Sequence, residues 1–221
     1  MLNYFKAIIE DDVEELIAHL SRDPRCAKRT VEKDLYIADK IFHWLYKGDT
    51  LLHLAAAGHR SKVIRPLLAI GLDPNSNKNR RKSTPFHYAA DASLNESFDP
   101  SLQLSTLRQL VDAGAHLNAQ DKNGASALHR AVRTRAAAAV EFLLNAGADP
   151  HLMNSTGSTA FHLAVQTTGR GGSGTPQAKE AQIKIIESFM QIGISSTLRD
   201  GRGKTVYDSA QSVAVRALLE R

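Results

Sequence analysis

The sequence predicts an all-α fold, a solenoid of stacked helix-turn-helix repeats with hairpin fingers between them. Three observations carry that expectation. Four heptapeptides align along the chain: TLLHLAA from Thr50, TPFHYAA from Thr84, SALHRAV from Ser126 and TAFHLAV from Thr159. Each leads into an apolar helical run that stops at a glycine, Gly71, Gly114, Gly147 or Gly193. The tails after the first three glycines, GLDPNSN, GAHLNAQ and GADPHLM, match one another as well. Self-similarity at a spacing of roughly 20–50 residues marks a repeat architecture. A degraded fifth copy, TVYDSAQ, begins at Thr205.

Taken in order, residues 2–20 read as two short helices broken at Asp11-Asp12, with Phe5, Ile8, Val13, Leu16, Ile17 and Leu20 facing inward. The segment VEKDLYIADKIFHWLYKG then replaces an ordinary finger with something longer. Its aromatics, Tyr36, Phe42, Trp44 and Tyr46, admit two readings. They form a plug packed over the first repeat, or an exposed hot spot in which Trp44 and Tyr46 anchor a partner.

Within each repeat the first Thr or Ser caps a helix through its side-chain oxygen. Pro85 follows at the first helical position, where no amide donor is lost. Leu52, Phe86, Leu128 and Phe161 point into the stack, with Tyr207 in the degraded copy. The small pairs Ala55/Ala56, Ala89/Ala90, Ala131/Val132 and Ala164/Val165 let inner helices approach closely. The glycine ends the outer helix in a left-handed conformation. Pro66 falls inside the outer helix of the first repeat, where it is expected to bend or delay it. One such unit cannot bury its apolar face alone, so stability comes from stacking.

With its threonine-initiated T-P-L-H-like motifs and G-A-D-like turns, the chain resembles the ankyrin-repeat family over roughly residues 48–221. The resemblance implies one domain over 1–221. It comprises an irregular N-terminal cap (1–47), four repeats (48–83, 84–123, 124–156, 157–202) and a C-terminal cap (203–221) in which Asp208 replaces the repeat histidine. It also implies a non-catalytic module that binds a protein partner through fingers, inner helices and inserted loops.

His53, His87, His129 and His162 recur at one place in the four repeats. Helices pack about 8–10 Å apart, so equivalent residues form a row, whereas zinc needs bonds of about 2 Å to every ligand. The resemblance gives these histidines a structural role, tying neighbouring loops. No Ser/His/Asp or Cys/His grouping is legible elsewhere. Hence no catalytic residue, metal ligand or cofactor is assigned.

Repeat spacing is uneven. Successive caps lie 34, 42, 33 and 46 residues apart, and the cap-to-glycine distance is 21 residues in repeats one and three but 30 and 34 in repeats two and four. Both large insertions therefore fall between inner and outer helix, in loops spanning 91–104 and 166–176. The second contains GRGGSGT, residues 169–175. It is no Walker loop, since it follows a helical motif and Thr175 is followed by Pro176 rather than by a lysine. Thr175-Pro176 and Asp99-Pro100 instead open long outer helices, the later one with Ile183, Ile186 and Met190 on one face. The insertions should flank the junction VRTRA, which presents Arg133 and Arg135, with Arg170 adding a cation. Two outcomes are open: Asp91, Glu96 and Asp99 clasp these arginines, or the arginines line a notch for an acidic group.

The net charge is +5, yet seven cations and only Asp73 lie between Arg60 and Lys82. The finger tip KNRRK thus offers Arg80, Arg81 and Lys82 to an acidic protein. Nucleic acid is the lesser alternative, because the finger itself interleaves no aromatics for base stacking. A small-molecule or phosphoanion site, or an unrecognised enzyme, in the inserted loops is the other alternative. The partner itself and the oligomeric state are not named by the sequence. The 43% hydrophobic and 23% charged content is ordinary, no apolar run is long enough to span a membrane, and the first residues lack a signal-peptide pattern. Cys26 is the sole cysteine, which suits a reducing cytoplasm.

Overall fold

The inner repeat helices start directly after Thr50, Thr84, Ser126, Thr159 and Thr205, where the sequence places their caps. In this computed structural model, residues 3–37, 40–93, 98–166 and 174–220 are described. In chain order the helices are α1 (Asn3–Ile9), α2 (Val13–Arg22), α3 (Leu51–Ala57), α4 (Ser61–Ala69), α5 (Pro85–Ala89), α6 (Pro100–Asp112), α7 (Ala127–Arg133), α8 (Ala137–Asn145), α9 (Ala160–Ala164), α10 (Pro176–Gln191), α11 (Val206–Ser209) and α12 (Val213–Leu219), with a 3₁₀ turn at Pro24–Lys28. Among the described residues, extended pairing is limited to isolated bridges. Odd-numbered helices form an inner row, each packed on the next; α2 to α10 form the outer row. Gly71, Gly114, Gly147 and Gly193 follow the outer helices at φ of 81° to 91°.

The core runs through the stack without interruption. Leu52, Phe86, Leu128 and Phe161 are buried, as are the small pairs beside them. Phe161 stacks on Phe189 of α10 with ring centroids 4.7 Å apart. Two expected inward residues are displaced. Ile17 and Ile183 are 49% and 44% exposed. The buried stripe of α10 is Ala178, Gln182, Ile185, Ile186 and Phe189. That spacing keeps one face toward the core at 3.6 residues per turn, and Ile183 lies one position off it. Helix α4 continues through Pro66 to Ala69, so the proline neither ends it nor delays its start.

The histidine row works as expected of tying residues. Each Nε2 faces the carbonyl just before the next cap: His53 to Ser83 at 3.0 Å, His87 to Ala125 at 3.0 Å, His129 to Ser158 at 3.1 Å and His162 to Lys204 at 3.0 Å. In the first three, Nδ1 accepts from the amide of the residue's own cap, Thr50, Thr84 or Ser126. An accepting Nδ1 fixes Nε2 as the donor. Both ring nitrogens are thereby used, one within a repeat and one between repeats. In the last unit Asp208 keeps only the local half, accepting from the Thr205 amide at 3.0 Å.

Short inner-to-outer junctions turn on a single left-handed residue: Asp11 (φ 56°), His59 (φ 52°) and Arg135 (φ 59°). Asp11 also caps the next hairpin, its carboxylate accepting from the Lys62 and Val63 amides that start α4. The two long junctions are held differently, and alike. Gln103 donates to the carbonyls of Ala89 and Asp91, both at 3.1 Å. Gln182 donates to Ala164 and Gln166 at 2.7 and 3.1 Å. Each inserted loop thus leaves a short inner helix whose last carbonyls are held by a buried glutamine from its own outer helix.

Fingers are zipped by backbone bonds, Lys122 to Arg81, Ser155 to Asn123 and Gly201 to Gly157. At Gly124 the approach is tightest. Its φ is +69°, and an added Cβ would stand 2.8 Å from the Ser155 nitrogen. Gly124→Ala is predicted to lose about 1–3 kcal/mol from strain in the left-handed region plus the clash. Urea unfolding of the variant checks this; wild-type stability would mean that the two fingers do not touch.

Candidate functional site

The long finger is a hairpin bridged at Thr30–Thr50 and Leu35–Leu45. Alternation along an extended chain sends Ile41 and Leu45 inward, both buried, and Trp44 outward. The Phe42 amide donates to Ala57 O at 2.7 Å, which draws the segment over the end of α3. The His43 ring stacks on Tyr88 of α5, centroids 4.1 Å apart. The finger is therefore a plug on one side and a surface on the other. On that surface Tyr36 and Trp44, 47% and 50% exposed, stack at 5.5 Å.

Crossing α3 and α5 in this way, the finger closes a cleft of about 590 Å³ lined by Tyr36, Trp44, Tyr46, Arg80, Asp91 and Arg133, among others. The basic finger folds onto its edge. The guanidinium carbons of Arg80 and Arg81 lie 4.9 and 5.5 Å from the centre of the Tyr46 ring. Arg80 also pairs with Asp34 at 2.5 Å, and Asp34 accepts from the Lys47 amide at 3.0 Å. The basic finger, which carries no aromatics of its own, thus borrows Tyr46 from the N-terminal segment.

Beneath the cleft is a buried charge cluster. Asp91, 3% exposed, is gripped by Arg130 through Nη2 to one oxygen and Nε to the other, the second at 3.3 Å. His43 Nε2 lies 3.5 Å and Arg133 Nη2 4.0 Å from the same carboxylate. Burial pushes the Asp91 carboxyl upward, but Arg130 and the other cations outweigh it and hold the group below its ordinary value. His43 is pushed down to about 3 by burial, then by Arg130. It is neutral at pH 7, so its 3.5 Å contact with Asp91 is not an ion pair. Arg130 also reaches Ser83 Oγ at 3.4 Å and covers the Tyr88 ring at 5.3 Å. The Tyr88 hydroxyl donates to Asp49 at 3.0 Å. Burial pushes Asp49 up to about 7. Asp91 with Arg130 and Tyr88 with Asp49 satisfy one another inside the protein, whereas the buried His43 Nδ1 finds no hydrogen-bond partner among the described residues. What the cleft offers outward is aromatic surface and guanidinium forks.

Of the residues singled out from sequence, Trp44, Tyr46, Arg80 and Arg133 meet in this one cleft, and Arg81 sits at its edge. Lys82 is exposed on the finger tip at φ 51°. Arg135 is not presented to a partner: it is 8% exposed and donates to Ala164 and Gln166 carbonyls at 3.1 and 2.6 Å. Its left-handed backbone turns the side chain toward the end of α9. Arg170 and Glu96 lie outside the described residues, as does most of GRGGSGT. Thr175 caps α10 through the Ala178 amide at 3.1 Å, and Asp99 caps α6 through Ser101 at 2.7 Å. Among the described residues, Asp91 pairs chiefly with Arg130 and lies 4.0 Å from Arg133, while the Asp99 carboxylate is used to cap α6. The gap between α6 and α10 exists, about 660 Å³; of the expected arginines Arg135 lines it, beside Ala136, Ala137 and Ala138, while Arg133 lines the finger-side cleft instead.

His43 and Arg130 were not singled out by sequence. One signal for Arg130 was present: it occupies the heptapeptide position held by Leu54, Tyr88 and Leu163 in the other copies. A cation at a buried repeat position calls for a buried acid.

A family model described as "Ankyrin repeats (many copies)" matches residues 110–164, and one described as "Ankyrin repeat" matches residues 47–79. No curated protein matches the sequence. Among solved structures, an ankyrin repeat domain from Acinetobacter baumannii AYE is similar at a TM-score of 0.68 and 21% identity, over 98% of this chain and 94% of that one. No helix among the described residues is long and apolar enough to cross a membrane.

Proposed function

We propose, from the premise that this chain is an ankyrin-repeat protein, that it is a non-catalytic module binding an acidic protein partner at the finger-side cleft. Ankyrin repeats are generally protein–protein interaction modules. The observation that carries the finer reading is the course of the long finger. It brings Trp44, Tyr46, Arg80 and Arg133, separate in sequence, into one cleft. Exposed Trp and Tyr beside Arg are the residue types that dominate binding energy at interfaces. A cytoplasmic setting, with Cys26 a buried free thiol, belongs to the same reading.

The test is affinity purification from the native host with the wild-type chain and with Trp44→Ala. Trp44 is half exposed, so its truncation should leave the fold intact. A hot-spot loss of about 2 kcal/mol or more corresponds to roughly a 30-fold weaker complex. A partner retained at wild-type affinity by Trp44→Ala would remove this cleft from the interface.

A further inference from the structure

We infer that the segment received by the cleft is an acidic peptide in which a carboxylate side chain stands close to a large apolar one. The apolar group lies on the Tyr36–Trp44 ledge and the carboxylate is held at the Arg80–Arg81 pair. This rests on the protein-binding reading above and specifies its ligand.

Three features on adjoining elements lead there. The ledge is apolar and half exposed, although its rings already stack on each other. Next to it, Arg80 and Arg81 are both laid over Tyr46. Among the described residues Arg80 has one carboxylate, Asp34, and Arg81 has none within ion-pair distance. A guanidinium held by an aromatic ring is already ordered, so less freedom is lost when it forks a carboxylate. Finally, the charge is one-sided. The backbones of Lys122 and Lys47 adjoin the group, the Lys122 amide donating a hydrogen bond to the Arg81 carbonyl and the Lys47 amide donating to Asp34. With Arg80, Arg81 and Arg133 at the cleft and Lys82 exposed on the finger tip, cations outnumber the lining acids Asp34 and Asp91, and Asp91 is already gripped by Arg130; beyond them stands Asp121. The Asp121 carboxylate is turned inward to the amides of Asn123 and Ala125.

The same surface suits a nucleic acid less well. Single-stranded binders splay aromatics so that successive bases stack on them, whereas Tyr36 and Trp44 cover each other. Asp34 and Asp91 line the same cleft and oppose a run of phosphates, while one side-chain carboxylate can sit on the forks and avoid them.

Trp44 is the chain's only tryptophan, so selectively excited tryptophan emission reports on this cleft alone. The experiment is selection of random dodecapeptides displayed on phage against the full chain, followed by titration of the selected synthetic peptides. The expected result is enrichment of Asp or Glu within two residues of Phe, Leu or Trp, with saturable perturbation of Trp44 emission by peptides that lack tryptophan. Arg81→Gln should weaken these peptides about tenfold at low salt. Should that variant distort the finger, raising salt from about 50 to 300 mM with the unmodified chain should weaken them by a similar factor. Selection of neutral or basic peptides, no enrichment over Trp44→Ala, unmoved Trp44 emission, salt-independent binding, or tighter binding of single-stranded oligouridine would each overturn the inference. A native partner lost on Trp44→Ala, whose bound segment carries no acid, would overturn it too, yet leave the protein-binding reading standing.

Discussion

Asp91→Ala is expected to destabilise the protein by about 3–5 kcal/mol, the range for removing one partner of a buried ion pair. Arg130 is 2% exposed and has no route to water. Its remaining contacts, a 3.4 Å bond to Ser83 Oγ and the Tyr88 ring, carry no formal negative charge. His43 is neutral and cannot replace the carboxylate. At about 2–4 °C per kcal/mol for a chain of this size, the melting temperature should fall by roughly 6–20 °C. Arg130→Met should cost less, because the orphaned Asp91 can take up a proton. The double variant Asp91→Ala/Arg130→Met should recover most of the loss, since a buried ion pair is often neutrally replaced by apolar groups. A single-variant loss below about 1 kcal/mol would show that Arg130 reaches solvent.

Stability should also fall steeply on acidification. Burial, ahead of any other cause, lowers His53, His59 and His87 to about 4 and His43 to about 3. In the unfolded chain each titrates near 6.5. Between pH 6.5 and 4 the unfolded state therefore binds up to four more protons at these sites. Stability present above 6.5 is lost as the pH drops. Asp49 acts in the opposite sense. Burial raises it to about 7 in the folded state, so it favours the fold below that value and offsets one of the four. The net difference approaches three protons, and between pH 7 and pH 5 the loss is on the order of 5 kcal/mol. That is comparable to the whole stability of many domains. Urea midpoints at the two values check it. A flat profile would mean that these imidazoles are hydrated in the folded protein.

The parts of the fold that sequence disclosed are those fixed by neighbours a few residues apart. Thr84, Pro85 and His87 form one turn and one cap, and the glycine stop after each outer helix is equally local. Side-chain direction at the margin of a helical face is not local. Ile17 and Ile183 are apolar and adjacent to buried stripes, yet a rotation of about 100° per residue leaves them in water. The site shows the same division. Trp44, Tyr46, Arg80 and Arg133 each stood out by residue type. Their meeting depends on contacts that no short window contains, chiefly Phe42 with Ala57 and His43 with Tyr88. Arg135 misled for a related reason. Its neighbours in sequence suggested a surface turn, but its actual partners are carbonyls 29 and 31 residues further on.

The glutamine ties have a consequence for symmetry. Ala89, Asp91 and Gln103 stand to their repeat as Ala164, Gln166 and Gln182 stand to theirs. The left-handed residue of the preceding repeat lies against each set: Arg135 by hydrogen bonds, and His59 packed against Phe42 and Phe98 beside the Ala89 and Asp91 carbonyls without bonding them. The motif thus takes one left-handed turn from an odd repeat and one glutamine from an even repeat. The operation that carries the array onto itself is a translation by two units. Splicing out a single unit would bring two turns of one kind together with no mate, whereas excising or copying an adjacent pair conserves parity. From repeat one to repeat four the array is thus built on a doubled lattice, and only at the N-terminal hairpin, which turns on Asp11, do two short left-handed turns already adjoin.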